Sequence, residues 1–148
     1  MRKVSILGVL LGAIVDIVSS LLLGAPFAFY AASKADLSHV PPEQISEIIK
    51  AAMHSSVPLY AAQLAMGLVG SILGGVTAAG VANREELLNG GLSSFLCIIM
   101  GIVMIASGKD SNPLWLQLLM LVASAVFALL GGALVRWRRH RRRIPASH

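Results

Sequence analysis

Charged residues are almost absent from four long apolar stretches of the chain, and this segregation limits the folds open to it. The stretches cover residues 4–32, 58–82, 87–106 and 113–137. Asp16 is the only charge deep inside one of them, and Arg136 stands near the end of the last. Each stretch reaches the roughly 20 residues with which a helix crosses about 30 Å of hydrocarbon. Buried helices of soluble proteins are rarely this long and apolar on every face.

The composition agrees with insertion into a membrane. Charged residues make up 13% of the chain, against roughly 25% in soluble domains. No stretch alternates apolar and polar residues with a period of two, so strands are not predicted. The first stretch exceeds the roughly 7–15 apolar residues of a signal peptide, and we expect it to be retained. We predict an all-α polytopic membrane protein, with residues 1–148 forming a single four-transmembrane-helix bundle.

Lysine and arginine in the connections predict the orientation, because they concentrate on the cytoplasmic side of a membrane. Nine lie on one side of the four spans and three on the other. The larger set is Arg2, Lys3, Arg84, Arg136, Arg138, Arg139, Arg141, Arg142 and Arg143, and the smaller set is Lys34, Lys50 and Lys109. We therefore expect both termini in the cytoplasm, a basic cytoplasmic tail at 138–148 and an outer loop at 33–57.

The arginine run that follows the fourth span has two further interpretations, binding to anionic lipid and binding to nucleic acid. Its position directly after a helix favours a role in topology. No aromatic residues or recognisable motif of nucleic-acid binding accompany it. We predict the lipid bilayer as a partner and no nucleic acid.

Small residues recur at every fourth position along the spans, which predicts how the helices pack. In lipid, such residues let helix backbones approach closely and so hold them together. The packing positions that we predict are Gly8, Gly12, Gly67, Ser71 and Gly75. We expect the first two spans to form a tight centre, with the third beside the second. The same stripes favour a homo-oligomer or a membrane-protein partner.

The segments 74–80 (GGVTAAG) and 86–92 (ELLNGGL) resemble a glycine-rich hairpin of small, uncharacterised bacterial four-helix membrane proteins. The resemblance covers about 20 residues of the chain. It implies a protein of the bacterial inner membrane and implies no activity. Before this hairpin, Pro26 is expected to kink the first span or end its regular part, because proline removes a helical hydrogen bond.

The outer loop contains a pattern typical of a short amphipathic helix. Proline suits the first turn of a helix, and Pro42 precedes apolar residues at helical spacing. We expect this helix to lie at the outer interface or to cap the bundle, with partner binding as the second interpretation. A metal site would draw on His39, Glu43, Glu47 and His54. Two carboxylates beside a lysine, without a close histidine pair, argue against it, so we predict no metal and no cofactor.

Asp16 is the residue of this chain that could carry chemistry. An aspartate near the bilayer midplane costs roughly 2.5–3.5 kcal/mol on insertion scales, so it should face other helices or water. No lysine, arginine or histidine lies well inside the other spans, and the expected partners are hydroxyls, amides, backbone or water. The hydroxyl candidates are Ser71, Thr77, Ser93, Ser94 and Ser124. The lone cysteine, Cys97, is interpreted as a small packing residue.

Two functions follow from Asp16. In one, Asp16 is a proton or cation site of a small proton-coupled transporter, and the chain is similar to the small multidrug transporters, which also have four helices and an acidic residue in the first. It departs from them in its wide outer loop, its Asp in place of Glu and its aromatic residues near the interfaces. In the other, Asp16 donates a hydrogen bond that locks two helices together.

The second interpretation is our leading expectation from sequence: a non-catalytic membrane protein that packs with itself or with a membrane partner. The transporter is the alternative. No HExxH, GxSxG or phosphate-loop motif is present, and we predict that the protein is not an enzyme. A polar, water-accessible cavity that reaches Asp16 would favour the transporter, and dry, tight packing around Asp16 would favour the packing role.

Overall fold

A computed structural model of the protein describes residues 4–38, 40–82, 85–108 and 112–143. Within these ranges every regular element is a helix. The helices are α1 (Ile6–Lys34), α2 (Pro42–Ser55), α3 (Val57–Ala82), α4 (Glu86–Ser93), α5 (Phe95–Ser107) and α6 (Leu114–Arg143). The predicted all-α fold is confirmed. Arg2, Lys3, Arg84, Lys109, His39 and residues 144–148 lie outside the described residues.

Four helical segments of the described chain are long and apolar enough to cross a membrane. They are α1, α3, the continuous pair of α4 and α5 from Glu86 to Ser107, and α6 as far as Arg141. Most of their large apolar side chains are exposed at the surface of the bundle. A protein surrounded by water would bury such side chains, whereas lipid solvates them. The structure therefore supports the prediction of a membrane protein.

The third span is divided at Ser94, which the sequence analysis did not foresee. The hydroxyl of Ser93 donates to the carbonyl of Gly90 at 2.6 Å, and that of Ser94 donates to Gly91 at 2.7 Å. Serine hydroxyls that bond nearby carbonyls compete with the helical ladder. Two adjacent glycines weaken the same turn further, since glycine is a poor helix former. The local sequence therefore explains the break between α4 and α5.

Two other boundaries differ from expectation. α1 continues through Pro26 to Lys34, so the proline does not end the helix. α6 continues to Arg143, although we expected the helix to stop at 137 and a tail to follow. Arginine is a good helix former, and cations are favourable near a helix C-terminus. Arg141 also stacks on the ring of Trp137 one turn earlier, 4.1 Å from its centroid.

α3 lies at the centre of the bundle, with α1 packed on one side and α6 on the other. Glycines at these contacts let the helix backbones approach closely. A Cβ added to Gly12 of α1 would lie 2.7 Å from the carbonyl oxygen of Gly74 in α3. On the other side of α3, a Cβ at Gly75 would overlap the carbonyl of Ala128 in α6. α4 completes the packing against α6, where a Cβ at Gly90 would lie 2.9 Å from the Cα of Gly132.

The two ends of the bundle differ in their residues, and we name them the basic end and the loop end. At the basic end, the backbone N–H of Ser5 donates to Asn89 at 2.8 Å, and Arg139 pairs with Glu86 at 2.9 Å. At the loop end, Asn112 accepts hydrogen bonds from Tyr60 and contacts His54. α2 belongs to the loop end, since His54 is in its last turn.

Candidate functional site

Asp16 lies inside the bundle, on the face of α1 that packs against α3. Its position is roughly 15 Å along α1 from Ile6, at 1.5 Å per residue. Only 3% of the residue is exposed. The approach of α3 depends on Gly74, where an added Cβ would lie 2.7 Å from the Cβ of Asp16. A larger residue at Gly74 would therefore displace the carboxylate-bearing face of α1.

Three side chains donate to the Asp16 carboxylate. The hydroxyls of Ser71 and Ser20 lie 3.2 Å and 3.4 Å from Oδ1, and the thiol of Cys97 lies 3.4 Å from Oδ2. Ser71 also contacts the hydroxyl of Ser124 in α6 at 2.9 Å. Asp16 is thus connected to α3, α5 and α6. Within the described part of the chain, no lysine, arginine or histidine pairs with it.

These partners overlap only partly with the hydroxyls proposed from sequence. Ser71 bonds Asp16 directly, and Ser124 reaches it through Ser71. Thr77, Ser93 and Ser94 instead donate to carbonyls of their own helices. Cys97, interpreted as a packing residue, donates to the carboxylate. Ser20 also donates to it, and its place one turn after Asp16 in α1 was a signal that could have identified it.

A cavity of about 540 Å³ begins at Asp16 and extends between α1, α3, α5 and α6 toward the loop end. Its walls are mainly apolar side chains, among them Leu64, Met104 and Met120. The polar groups are few: the carboxylate and its serines at one end, and Asn112 and Gln117 toward the other. Ligand sites commonly have this size and this mixture of apolar walls with a few placed polar groups.

Gln117 contributes a buried oxygen to this cavity that lacks a hydrogen-bond partner among the described residues. Its Nε2 donates to the backbone carbonyl of Asn112 at 2.6 Å. A carbonyl can only accept, so this bond fixes which amide atom is the nitrogen and leaves Oε1 unpaired. Leaving a buried acceptor unpaired costs roughly 1–3 kcal/mol. Gln117 lies about two helical turns, or roughly 10 Å, from Ser124 toward the loop end.

A second cavity of about 360 Å³ continues the first one beneath α2. The two share a wall formed by Ser20, Tyr60, Leu64, Gly67, Asn112 and Met120. At the far side of the second cavity are Lys50 and His54 of α2. The His54 ring contacts Asn112 Oδ1 at 3.1 Å and packs on Tyr60 with ring centroids 4.6 Å apart. α2 therefore covers a continuous space that leads to Asp16.

The five predicted packing residues do not all lie at contacts between helices. Gly8, Gly12 and Gly75 lie where another helix leaves no room for a side chain, and Ser71 bonds Asp16. Gly67 differs from our expectation, because a Cβ there would have no neighbouring atom within 4 Å. Gly67 instead lines both cavities. Its small size keeps space open in the middle of α3.

The residues considered for a metal site are dispersed or otherwise engaged. Glu47 pairs with Lys50 at 3.0 Å, and His54 is in contact with Asn112. Among the described residues, no group of three or more His, Cys, Asp or Glu side chains could hold a metal ion. His39 lies outside the described residues.

Comparisons with protein-family models, with curated proteins and with solved structures find no match to this chain. The fold therefore defines the class: an all-α membrane protein with four apolar helices that could span a bilayer. Within that class, Asp16 and the cavity that reaches it form the candidate functional site of this chain.

Proposed function

We propose that the protein is a small proton-coupled transporter in which Asp16 alternately holds a proton and a cationic solute. The observation that supports this function best is the cavity of about 540 Å³ that connects the buried carboxylate with the loop end. A hydrogen bond between helices requires no such space. Intramembrane carboxylates that face a cavity commonly serve as proton or ion sites.

The lining suggests the chemistry of the solute. A carboxylate without a basic partner favours an ammonium group, and the apolar walls favour a hydrocarbon body. Gln117 Oε1 offers an acceptor to a second donor, roughly 10 Å along α6 from Ser124 in the Asp16 network. We propose an amine with an apolar body and a further N–H or O–H group near its other end. When such an ammonium binds protonated Asp16, one proton leaves the carboxyl group, so net charge in the site is conserved.

The test compares two probes of nearly the same shape, benzylammonium and benzyl alcohol, by calorimetric titration of the protein in lipid nanodiscs. We expect benzylammonium to bind more tightly and to release up to one proton, measured in two buffers of different ionisation enthalpy. In Asp16→Asn the preference for benzylammonium should fall about tenfold, equivalent to about 1.4 kcal/mol. Equal binding of both probes to both proteins would contradict the proposal.

Binding alone would not establish transport, so the second experiment follows proton movement. Proteoliposomes with a pH-sensitive dye inside receive an inward gradient of benzylammonium. Neutral benzylamine crosses lipid and takes up protons by itself, so the proposed exchange predicts a faster change of internal pH with the wild type than with Asp16→Asn or with protein-free liposomes. A wild-type protein that binds the amine without moving protons would be a binding protein rather than a transporter.

The alternative proposal is a non-catalytic membrane protein that packs with itself or with a membrane partner. The observation that favours it is α5, which has no buried residue and exposes Phe95, Ile99 and Met100. The glycine stripes support it less than expected, because Gly8, Gly12 and Gly75 are used for packing within one chain. We also propose that the protein is not an enzyme and has no cofactor.

The cellular setting of the proposal is the bacterial inner membrane, with both termini in the cytoplasm and α2 on the outer side. The nine-to-three distribution of basic residues supports this orientation. It would make the loop end, and the opening of the Asp16 cavity, face outward. Cysteine labelling from either side of intact cells, at single cysteines introduced in 33–38 and 138–141 in a Cys97→Ser background, tests it.

A further inference from the structure

A separate cavity of about 530 Å³ lies at the basic end, between α4 and α6. Its lining consists of Glu86, Leu87, Ala133, Arg136, Trp137, Arg139 and His140. It shares no residue with the Asp16 cavity. Any ligand of this site is therefore independent of the transport function proposed above.

The charges of this cavity do not balance. Arg139 donates to the carboxylate of Glu86 and to the carbonyl oxygen of Gly80, both at 2.9 Å. This engages the guanidinium and neutralises the carboxylate. Arg136 is exposed and donates no hydrogen bond to another described residue. The site thus has one net positive charge from its arginines, with His140 beside it.

The apolar part of the lining lies at the end of two spanning helices. Leu87 belongs to the first turn of α4, and Ala133 lies one turn before Trp137 in α6. Arg141, one turn further toward the C-terminus, stacks on the ring of Trp137. Tryptophan beside basic residues is typical of the depth at which lipid headgroups lie. The cavity therefore combines the guanidinium group of Arg136 with an apolar wall at the depth of the membrane interface.

We propose that this basic-end cavity binds the headgroup of an anionic phospholipid. Arg136 and His140 would contact the phosphate, because guanidinium groups form strong charge-assisted bonds with phosphate oxygens. The first acyl carbons would lie against Leu87 and Ala133. A free phosphate would use the basic groups but gain nothing from the apolar wall.

The experiment measures thermal stability in nanodiscs of phosphatidylcholine with an increasing fraction of phosphatidylglycerol. Arg136→Gln is compared with Arg138→Gln, which removes the same charge two residues away from an exposed position outside the cavity. We expect the apparent affinity for phosphatidylglycerol to fall about tenfold in Arg136→Gln and no more than about twofold in Arg138→Gln. Equal losses in the two variants would show a diffuse surface attraction and overturn the proposal.

A third variant tests the site without changing any charge. Ala133→Trp should fill the apolar part of the cavity and weaken the effect of phosphatidylglycerol about as much as Arg136→Gln. An unchanged response to the lipid would contradict an enclosed site. Glycerol phosphate, added to phosphatidylcholine nanodiscs at matched ionic strength, should not stabilise the wild type. Stabilisation equal to that by the lipid would assign the site to free phosphate instead.

Discussion

Glycines have two opposite roles in this bundle, because some allow close packing and others leave space. Toward the basic end, a Cβ at Gly12 or Gly75 would lie closer than 3 Å to a neighbouring helix. Toward the loop end, a Cβ at Gly24 or Gly67 would meet nothing within 4 Å, and both glycines line cavities. Small residues permit close packing only where another helix approaches; elsewhere they leave space.

The two ends also differ in whether their buried polar groups have hydrogen-bond partners. Asn89, at the basic end, is fully buried, accepts from the Ser5 backbone and donates to the Glu85 carbonyl at 3.1 Å. Gln117, toward the loop end, has a buried oxygen without a described partner. Satisfied buried polar groups stabilise a unique structure, whereas unsatisfied ones cost free energy that a ligand could recover. The buried Asn89 at the basic end therefore stabilises the fold, whereas Gln117 toward the loop end keeps a buried acceptor that a ligand could use.

The largest expected effect comes from adding bulk to the packed glycine. Gly75→Val should lower the free energy of unfolding by about 3 kcal/mol or more, because the added carbons overlap the Ala128 backbone. Reversible unfolding in mixed micelles measures this difference. Gly67→Val is the matched control and should lose less than about 1 kcal/mol while it weakens binding of benzylammonium. Similar destabilisation by the two variants would remove the contrast between the ends.

The next largest difference in the free energy of unfolding is expected between variants of Asn89 and Gln117. Asn89→Leu should cost about 2–3 kcal/mol, since it leaves the partly buried Ser5 N–H without its acceptor and removes the bond from the Asn89 side chain to the Glu85 carbonyl. Gln117→Leu should stay within about 1 kcal/mol of the wild type, because the lost bond to Asn112 is offset by removal of the unpaired oxygen. Denaturation in mixed micelles compares them. A larger loss from Gln117→Leu would show that its oxygen has a structural partner.

A smaller effect is expected from the ion pair at the basic end. Arg139→Gln should destabilise the protein by about 1 kcal/mol, since the side chains of Arg139 and Glu86 are partly shielded, with 28% and 18% exposed. Arg138→Gln serves as the control of equal charge and should change stability by less than about 0.5 kcal/mol. The melting temperatures of Arg139→Gln and the wild type should come only partly closer when the salt concentration is raised, since the pair is partly shielded from solvent. Identical curves for both variants would mean that the pair contributes nothing.

The smallest effect concerns the loop between α1 and α2 at the loop end. The Ser38 backbone N–H donates to Asp36 at 3.1 Å and lowers the pKa of this exposed carboxyl group. A lowered pKa contributes stability above the unfolded value of about 3.9, and this is lost as the pH falls through the folded value. Asp36→Asn should therefore melt slightly below the wild type at pH 7, and the difference should vanish once the pH is well below the lowered pKa of Asp36. A difference that persists there would exclude the carboxylate as its source.

The sequence predicted the parts of this fold that depend on composition along the chain. Four apolar stretches with almost no charge identify four spans, and the spacing of Gly8 and Gly12 identifies a packing face. The break at Ser94 was missed because it arises from hydroxyls that bond their own helix, which apolar periodicity does not reveal. The helical arginines after Trp137 were missed because charge marked the end of the membrane span and was taken as the end of the helix.

The candidate site was predicted in its central residue and in two of the five candidate hydroxyls, those of Ser71 and Ser124. Asp16 is conspicuous as the one charge inside a span, but its partners come from four helices whose rotations the sequence leaves open. Cys97 and Ser71 meet the carboxylate only after α3 and α5 are placed. Gly67 illustrates the same limit, because it has the spacing of a packing glycine and lies at a cavity. Space between helices depends on relative positions, which no local pattern encodes.

The most direct test of the account is an infrared difference spectrum of Asp16 in lipid, recorded with and without benzylammonium and assigned with Asp16→Asn. We expect the band of the protonated carboxyl group to decrease when benzylammonium is added and to stay unchanged with benzyl alcohol. A band that responds to neither probe, in a protein whose Asp16→Asn variant folds normally, would contradict the account. Asp16 would then be a packing residue, and the cavity would have no part in proton exchange.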